Sequence, residues 1–490
     1  MYKTHKMLKI YNVFLLFLLV GCSSGTSKIN YLDNFAVFID ELEFQKTSES
    51  KINWEEKNDS LNMFINRKDK FRLSAKDEQS IALLIDKYNN LKGVNSNSEM
   101  KVNFYFENSA SMNGYLSGKN FKQVMHRIYG NLNAYSVKPF FVNTKEYPQD
   151  DILKKIDDSN IKVGDIGNSD HQFIFSNAIE NAKENNLSIV ITDGIYSVKD
   201  GDVDIVSIDI ENAFKNALAR NEIETVVLKL SSEFKGTYYS ETCEPGKKAI
   251  KIDQNRPYYV LLFGNSQSID KALNEIAVID ELPGFEEQAR FFLTKNLKAN
   301  YTILTTGDEK HGQFKASKKG SDLIEEIEDV EKFERPGFNG TPKSENYLQF
   351  GIAIDYSSIN LPNTYIEDSK NYWVDDQLGY TVNSLSNVAD MDKSSKTFKE
   401  VQHINDKNKT NFTHVITVKA DKNLYGQLNI QLQNNLPEWI KNTGVNDDCD
   451  IIDDVSHTFA FDQLMIGISK AYQKINNNNQ YLDINLKIKP

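Results

Sequence analysis

The sequence predicts an α/β fold: a doubly wound, mostly parallel sheet, followed by a strand-rich C-terminal half with one added helix. Three patterns predict it. Between residues 98 and 285, short apolar runs alternate with stretches of helical period, as βαβ units do. Leu187–Thr192 (LSIVIT) is short and mostly apolar, as expected of a strand buried on both faces. After Asn346 the apolar period switches to two, which marks half-buried strands.

The elements follow in order. Residues 1–21 read as a leader, and residues 22–97 as a tether with helical islands. Small polar residues 23–30 supply the tether. Ile81, Leu84, Ile85 and Tyr88 fall on one helical stripe that Ser74 could cap. Val102, Phe104 and Phe106 alternate as a strand, and Phe121, Val124, Ile128 and Leu132 line the next helix. Residues 136–143 read as another strand, and Ile174, Ala178 and Ala182 as a helix. After Leu187–Thr192 come a helix (Ile210, Phe214, Ala217, Leu218), two strands (226–230 and 258–263) and a closing helix (Ile269, Leu273, Ile276). Residues 286–345 read as a decorated linker, with an acidic helix-like piece at 322–333. Residues 346–490 form the strand-rich domain, through Leu348, Phe350, Ile352 and Ile354, then Leu428, Ile430 and Leu432, then Leu482, Ile484, Leu486 and Ile488. Its helix carries Phe461, Leu464, Met465, Ile468 and Tyr472 on one face.

Composition narrows the function. The 490 residues hold 40% hydrophobics and 11% aromatics, enough for two or three packed units. The net charge is −12. Removing Lys3, Lys6 and Lys9 with the leader leaves 54 basic residues against 69 acidic, or −15. An acidic surface of this kind excludes nucleic acid as a natural partner, and no polybasic patch offers itself to anionic lipid. Of the three cysteines, Cys243 and Cys449 could pair in an oxidising compartment, but neither shows metal-ligand spacing.

Lys3, Lys6 and Lys9, the apolar run Val13–Val20 and small Gly21 precede Cys22. This resembles the lipobox of bacterial lipoproteins. The resemblance implies cleavage before Cys22, lipid on its sulfur, and a mature chain tethered to a membrane rather than spanning it. The run is too short to cross a bilayer as a mature helix. An ordinary signal peptide is the alternative reading. Ser23 and the absence of an acidic signal after Cys22 point to the periplasmic face of an outer membrane.

One constellation could carry chemistry. Glu107-Asn108-Ser109-Ala110-Ser111-Met112 follows the first strand, and Thr192-Asp193-Gly194 follows the buried one. Both lie at carboxyl ends of strands, where α/β sheets place their sites. Two hydroxyls at x-S-x-S spacing and two carboxylates suit a hard divalent cation, Mg²⁺ or Ca²⁺. The simpler alternatives are a Ser-capped turn and a strand-ending turn.

This pattern resembles the von Willebrand factor type A domain over residues 100–280 or so, and in particular lipoproteins of Bacteroidota that read ENSGSM…GY, which Glu107–Met112, Gly114 and Tyr115 match. The resemblance implies a metal-ion-dependent adhesion site held by Glu107, Ser109, Ser111, Ser169 and Asp193, with Asp170 behind them. It also implies a protein partner in the cell envelope. Two positions depart from the family pattern. Glu107 stands where Asp is usual, which moves the carboxylate by about 1.5 Å, and Ser169 replaces Thr.

Other candidates are weaker. His171 reads as polar surface or a cap rather than an acid–base group. Asp447, Asp448, Asp450, Asp453 and Asp454 lack the spacing of a calcium loop and read as a solvated acidic segment. Leu436–Ile440 reads as a packed corner anchored by Trp439. No GxSxG, Walker loop, HExxH or dinucleotide-binding fingerprint occurs, so nothing requires an enzyme. The expected function is a lipid-anchored binding protein. A metal-dependent hydrolase of envelope material and a metal-free scaffold are the alternatives.

Overall fold

A computed structural model describes residues 28–47, 54–67, 100–196, 203–243, 249–294, 300–317, 322–336, 342–357, 359–375, 379–408, 410–420 and 425–490, with positions 52, 77, 80, 81, 84, 85, 87 and 88. Cys22, the leader and Ser74 lie outside the described residues. Residues 1–99 and 100–490 form separate compact units.

In the first unit, helices Lys28–Thr47 and Trp54–Arg67 gather Phe35, Ile39, Leu42, Leu61, Ile81 and Tyr88 into one core. Phe35 and Phe64 stack at 4.8 Å, an aromatic contact that adds to their area burial.

The second unit is built on a seven-stranded sheet: β1 (Lys101–Glu107), β2 (Ser136–Val142), β3 (Glu146–Pro148), β4 (Leu187–Thr192), β5 (Glu224–Tyr239), β6 (Ala249–Gly264) and β7 (Phe285–Phe291), in the order β3-β2-β1-β4-β6-β5-β7. β2, β1 and β4 run parallel. Every other pair in this sheet is antiparallel. The sheet is therefore mixed, which corrects the expectation of a mostly parallel one. The cause lies in β5 and β6, two 16-residue strands paired as one long hairpin from Glu224↔Gly264 to Tyr239↔Ala249. Their central segments are buried on both faces and so carry the continuous apolar signature of parallel strands.

Helices Lys119–Asn131, His171–Asn181 and Val203–Leu218 bury the stripes their periodicity predicts, including Phe121, Val124, Ile128, Ile174, Ala178, Ile210 and Phe214. The helix Phe461–Asn476 joins the same core. It packs on Val203–Leu218, and the Tyr472 hydroxyl donates to Ile223 O at 2.9 Å. The C-terminal helix thus belongs to the α/β layer, not to the strand-rich half it follows in sequence.

That half contains two five-stranded sheets. One orders Tyr372–Val374, Gly426–Gln433, Gln480–Ile488, Leu323–Asp329 and Gln313–Ala316. The other orders Glu331–Pro336, Pro342–Asp355, His414–Ala420 and Tyr380–Asn387, with Asn300–Ile303 paired to Pro342–Asp355. The alternating residues named above fill a shared core. Residues 323–336 are strands, which corrects the helix expected at 322–333. Ile324 and Ile327 are three apart and imitate a helical stripe, yet a bulge in the pairing with Gln313–Ala316 produces that spacing.

Cys243 and Cys449 form a disulfide. Beside it Asp448 is fully buried and accepts from the hydroxyls of Tyr238, Ser240 and Thr242 at 2.7 to 2.8 Å and from the amides of Glu241 and Thr242 at 2.9 and 3.0 Å. Asp448 is therefore structural, and the acidic run around it is not a solvated loop throughout. Trp439 is the expected corner anchor: it packs against Phe461, and its Nε1 donates to Gln288 O at 3.3 Å. Among the described residues no helix is long and apolar enough to cross a membrane.

Candidate functional site

The chain order around β1 places the site. β1 leads to β2 on one side, and the crossover to β4 returns on the other, so the strand order reverses between β1 and β4. Open α/β sheets bind ligands at such switch points, beyond the carboxyl ends of the strands. Phe106 pairs with Ile191 across this gap. Glu107 and Thr192, each the next residue, therefore end neighbouring strands at one edge.

The loop after β1 is fixed by its backbone. The Asn108 side-chain amide donates to Ile161 O at 2.9 Å and Val163 O at 2.7 Å, and Ala110 N donates to Ile166 O at 2.8 Å. These bonds stitch the 107–111 turn to the 161–170 loop and bring Ser169 to β1. The Ser111–Ser117 turn that follows is pressed against the β5–β6 hairpin. A Cβ on Gly114 would lie 2.2 Å from the Phe234 ring, so only glycine fits. The Tyr115 hydroxyl donates to Pro257 O on β6. Gly194 has a φ of +71°, and a Cβ there would lie 2.8 Å from the Tyr259 ring. The Thr-Asp-Gly turn therefore needs its glycine twice over.

The structure brings Glu107, Ser109, Ser111, Ser169 and Asp193 together as two adjoining hydrogen-bonded groups. In the first, the Ser111 hydroxyl donates to Asp193 Oδ2. Ser109 and Ser111 oxygens lie 3.0 Å apart, so Ser109 is the donor to Ser111. Ile195 N donates to the other Asp193 oxygen at 3.2 Å. Both hydroxyl protons are used along this chain, while Ser109 Oγ keeps its lone pairs. In the second, Glu107 accepts from Ser169 Oγ at 2.6 Å and from the Thr192 hydroxyl. Thr192 Oγ1 in turn accepts from Gly194 N at 2.8 Å, and His171 Nε2 lies 3.2 Å from it. Because the Thr192 proton goes to Glu107, the proton between Thr192 and His171 sits on Nε2. That nitrogen is also 3.5 Å from Glu107 Oε2.

Glu107 and Asp193 are each 1% exposed. Burial, reinforced by the Glu107 charge, pushes the Asp193 carboxyl up to about 7. Glu107 is also penalised by burial, but His171 and the hydroxyls of Ser169 and Thr192 hold it below the usual carboxylate range. Burial works against a charged His171, yet Glu107, Asp193 and Asp170 raise it above the ordinary imidazole value. His171 Nδ1 is buried and has no hydrogen-bond partner among the described residues. The site is a pair of buried carboxylates with too little positive charge between them.

Asp170 stands apart. Its Oδ1 accepts from Phe173 N at 2.9 Å and caps the helix His171–Asn181. Two members of the cluster were not singled out as site residues. Thr192 looks like an ordinary strand residue, and only its position one step past the Phe106–Ile191 pair marks it. His171 corrects the expectation of a surface or capping residue: it opens the helix facing inward, where Ile174, Phe175 and Ala178 continue the same buried face. That phase was legible.

Glu107, Ser109, Ser111, Ser169 and Asp193 present oxygens, the donor type a hard cation takes, and His171 adds a nitrogen beside them. Among the described residues no group of three or more His, Cys, Asp and Glu side chains is arranged to hold a metal ion. Any cation here would rest on two carboxylates and serine hydroxyls. Comparison with family models, with curated proteins and with solved structures finds no match for this chain.

Proposed function

We propose that this chain is a lipid-anchored lipoprotein of the cell envelope whose α/β layer is von Willebrand factor A-like and binds a protein partner at the 107–111/Asp193 rim. A divalent cation, Mg²⁺ or Ca²⁺, completes the contact. Glu107, Ser109, Ser111, Ser169 and Asp193 would hold it, directly or through water. The supporting observation is the convergence of oxygens from three separate stretches at one switch point, around a carboxyl whose pKa is raised to about 7 by burial and by Glu107. A cation would relieve that repulsion. Held by so few charges, it would keep enough Lewis acidity to take one more carboxylate from a partner.

The anchor is the lipid at Cys22, with the periplasmic face of an outer membrane as the location. The acidic chain speaks against nucleic acid. A hydrolase would need a base able to meet water. His171 is buried against Glu107 and Thr192, and the Asp170 carboxylate caps a helix.

Calorimetry with Mg²⁺, Mn²⁺ and Ca²⁺ tests the ion. Saturable heat that disappears in Ser109→Ala and Ser111→Ala supports it, and no heat from the unaltered protein removes it. Capture of an envelope protein that is lost in EDTA tests the partner. One observation favours a second reading, the metal-free scaffold: His171 Nε2 lies 3.5 Å from Glu107, so the imidazole can supply the positive charge itself. The same calorimetry separates the two.

A further inference from the structure

Gly194, which closes the Thr-Asp-Gly turn, sits in a notch between two aromatic rings. A Cβ added there would lie 2.8 Å from the Tyr259 ring and 3.1 Å from the Phe461 ring. Tyr259 is local to the sheet, where it pairs with Thr192, the residue before Asp193. Phe461 is not local. It opens the helix Phe461–Asn476 and ends the segment 444–461, which the chain brings back to the α/β layer from its C-terminal half.

This segment holds the turn through several contacts. The Phe461 and Tyr259 rings stack with their centroids 3.9 Å apart. The Tyr259 and Thr458 hydroxyls lie 2.9 Å apart. Tyr196 N, two residues past Gly194, donates to Phe459 O at 3.5 Å. Behind these contacts, Gly444 and Val445 pair in parallel with Thr458 and Phe459. Ala460 joins Phe459 to Phe461 at a φ of +55°, a left-handed conformation that strains an alanine. It is fully buried, and its N donates to Val445 O at 2.9 Å. Strain of this kind persists only where the surroundings over-determine it.

The turn it holds joins both hydrogen-bonded groups of the site. Ile195 N donates to Asp193 Oδ1 at 3.2 Å. Gly194 N donates at 2.8 Å to Thr192 Oγ1, the hydroxyl that in turn donates to Glu107. A shift of Gly194 therefore moves Asp193 on one side and the Thr192–Glu107 contact on the other. Close-packed interiors transmit such shifts, because little void space absorbs them. The two rings that pinch Gly194 thus set where both carboxylates stand, and one of those rings belongs to the distant segment.

We propose that Phe461 and Thr458 are positioning residues for the Asp193 turn, so that the site is complete only with segment 444–461 in place. What the site holds rests on the cation reading above; the positioning does not. Amide hydrogen exchange on the full chain in EDTA tests it. The amides of Gly194, Ile195 and Tyr196 are read against those of Phe104 and Tyr105 in β1. Phe461→Leu keeps the position apolar and removes the ring. It should speed exchange at the turn at least about fivefold beyond any change in β1, the worth of one net hydrogen bond. Thr458→Val, which keeps the shape without the hydroxyl, should raise the same ratio about fivefold, and it keeps the test decisive if Phe461→Leu fails to fold. Thr458→Ser, which retains the hydroxyl, should leave the ratio unchanged. So should Tyr472→Phe, which loses its contacts to Thr225 and Ile223 further along the same helix. Calorimetry should show Mg²⁺ binding weakened at least about fivefold in Phe461→Leu. No Mg²⁺ heat from the unaltered protein removes the cation reading and leaves the exchange ratio to decide the positioning. Turn amides that respond no more than β1, a Tyr472→Phe effect equal to that of Phe461→Leu, or Mg²⁺ binding untouched by Phe461→Leu each overturns the proposal.

Discussion

Asp193→Asn should stabilise the metal-free protein at pH 8, although it alters a buried, hydrogen-bonded carboxylate. The folded Asp193 titrates at about 7 against an ordinary value of 3.8. For an acid whose pKa is raised by folding, the contribution to stability is fully present below pH 3.8 and is lost as pH rises through about 7. At 1.36 kcal/mol per pKa unit, the ionised group costs the fold about 4 kcal/mol at pH 8 and roughly 2 at pH 5.5. Asparagine mimics the neutral acid, so it removes that cost at both pH values. Its extra N–H groups add a pH-independent penalty of about 1–3 kcal/mol. The penalty cancels in the difference between the two pH values, and that difference should be close to 2 kcal/mol in favour of the variant at pH 8. Glu107 is depressed, so its window lies below the ordinary glutamate value of 4.5 and outside this range. His171, raised by Glu107 and Asp193 in spite of its burial, contributes stability that is likewise lost as pH rises; the variant removes the Asp193 share, so its His171 loses less over this range and the difference moves further in the variant's favour at pH 8. Urea denaturation in EDTA at pH 5.5 and pH 8 measures the quantity. Equal differences at the two pH values would refute the account of Asp193 as a carboxyl crowded by Glu107. Repeating the pH 8 experiment with Mg²⁺ at about 100 times its Kd should add about 2.7 kcal/mol to the unaltered protein and nothing to the variant.

Three further outcomes follow from the packing. Gly114→Ala would place a Cβ 2.2 Å from the Phe234 ring, so it should destabilise by about 1–3 kcal/mol, measured by thermal denaturation, and should weaken ion binding by shifting Ser111. Asp448→Ala should cost about 3 kcal/mol or more, because it strips the buried Tyr238 and Ser240 hydroxyls and the amides of Glu241 and Thr242 of an acceptor, while the half-buried Thr242 hydroxyl keeps Asp447 at 2.7 Å; urea midpoints will show it. Reducing Cys243–Cys449, which are 206 residues apart, should lower stability by roughly 2–5 kcal/mol through loop entropy released to the unfolded chain, seen as a lower midpoint in dithiothreitol that a double Cys→Ser variant reproduces.

How much of this was legible depends on the range of the interactions. β1, β4 and the helices on either face are written in local periodicity, and Val102, Phe104 and Phe106 or Phe121, Val124 and Ile128 give them directly. Strand direction is not local. The centres of β5 and β6 look identical as parallel or antiparallel strands, because both faces are covered in either case. Only the pairing of Ser232–Tyr239 with Ala249–Arg256 reveals the hairpin, and that flank is too polar to announce itself. The same limit explains the helix Phe461–Asn476. Its apolar face is plain in the sequence, but nothing in it says which of two cores it fills. Ser109, Ser111 and Asp193 were legible as neighbours because they follow, at the carboxyl ends, two strands of one sheet, although turn residues of the same types commonly stand there too. The inward position of His171 is carried by the phase of its helix, shared with Ile174 and Ala178, and not by its polar neighbours in sequence.

The glutamate at 107 can be understood from these contacts. A carboxylate at the end of β1 has to reach the Ser169 hydroxyl from the neighbouring loop and the Thr192 hydroxyl from β4, and it does both while facing His171. No lysine or arginine draws it away among the described residues; its ionic neighbour is the imidazole. The extra methylene, about 1.5 Å of reach, therefore leaves Glu107 within the cluster. Glu107→Asp should then break one of these two hydroxyl contacts and free His171 from its carboxylate. If the cluster is a cation site, the shorter acid should bind Mg²⁺ at least as well as the original. If His171 is the built-in cation, divalent ions should be without effect on either protein. The imidazole pKa should fall toward its ordinary value in Glu107→Asp under both readings, because Glu107 does most to raise it against burial. An NMR titration of His171 therefore verifies that the substitution has broken the contact, and calorimetry with Mg²⁺ distinguishes the two.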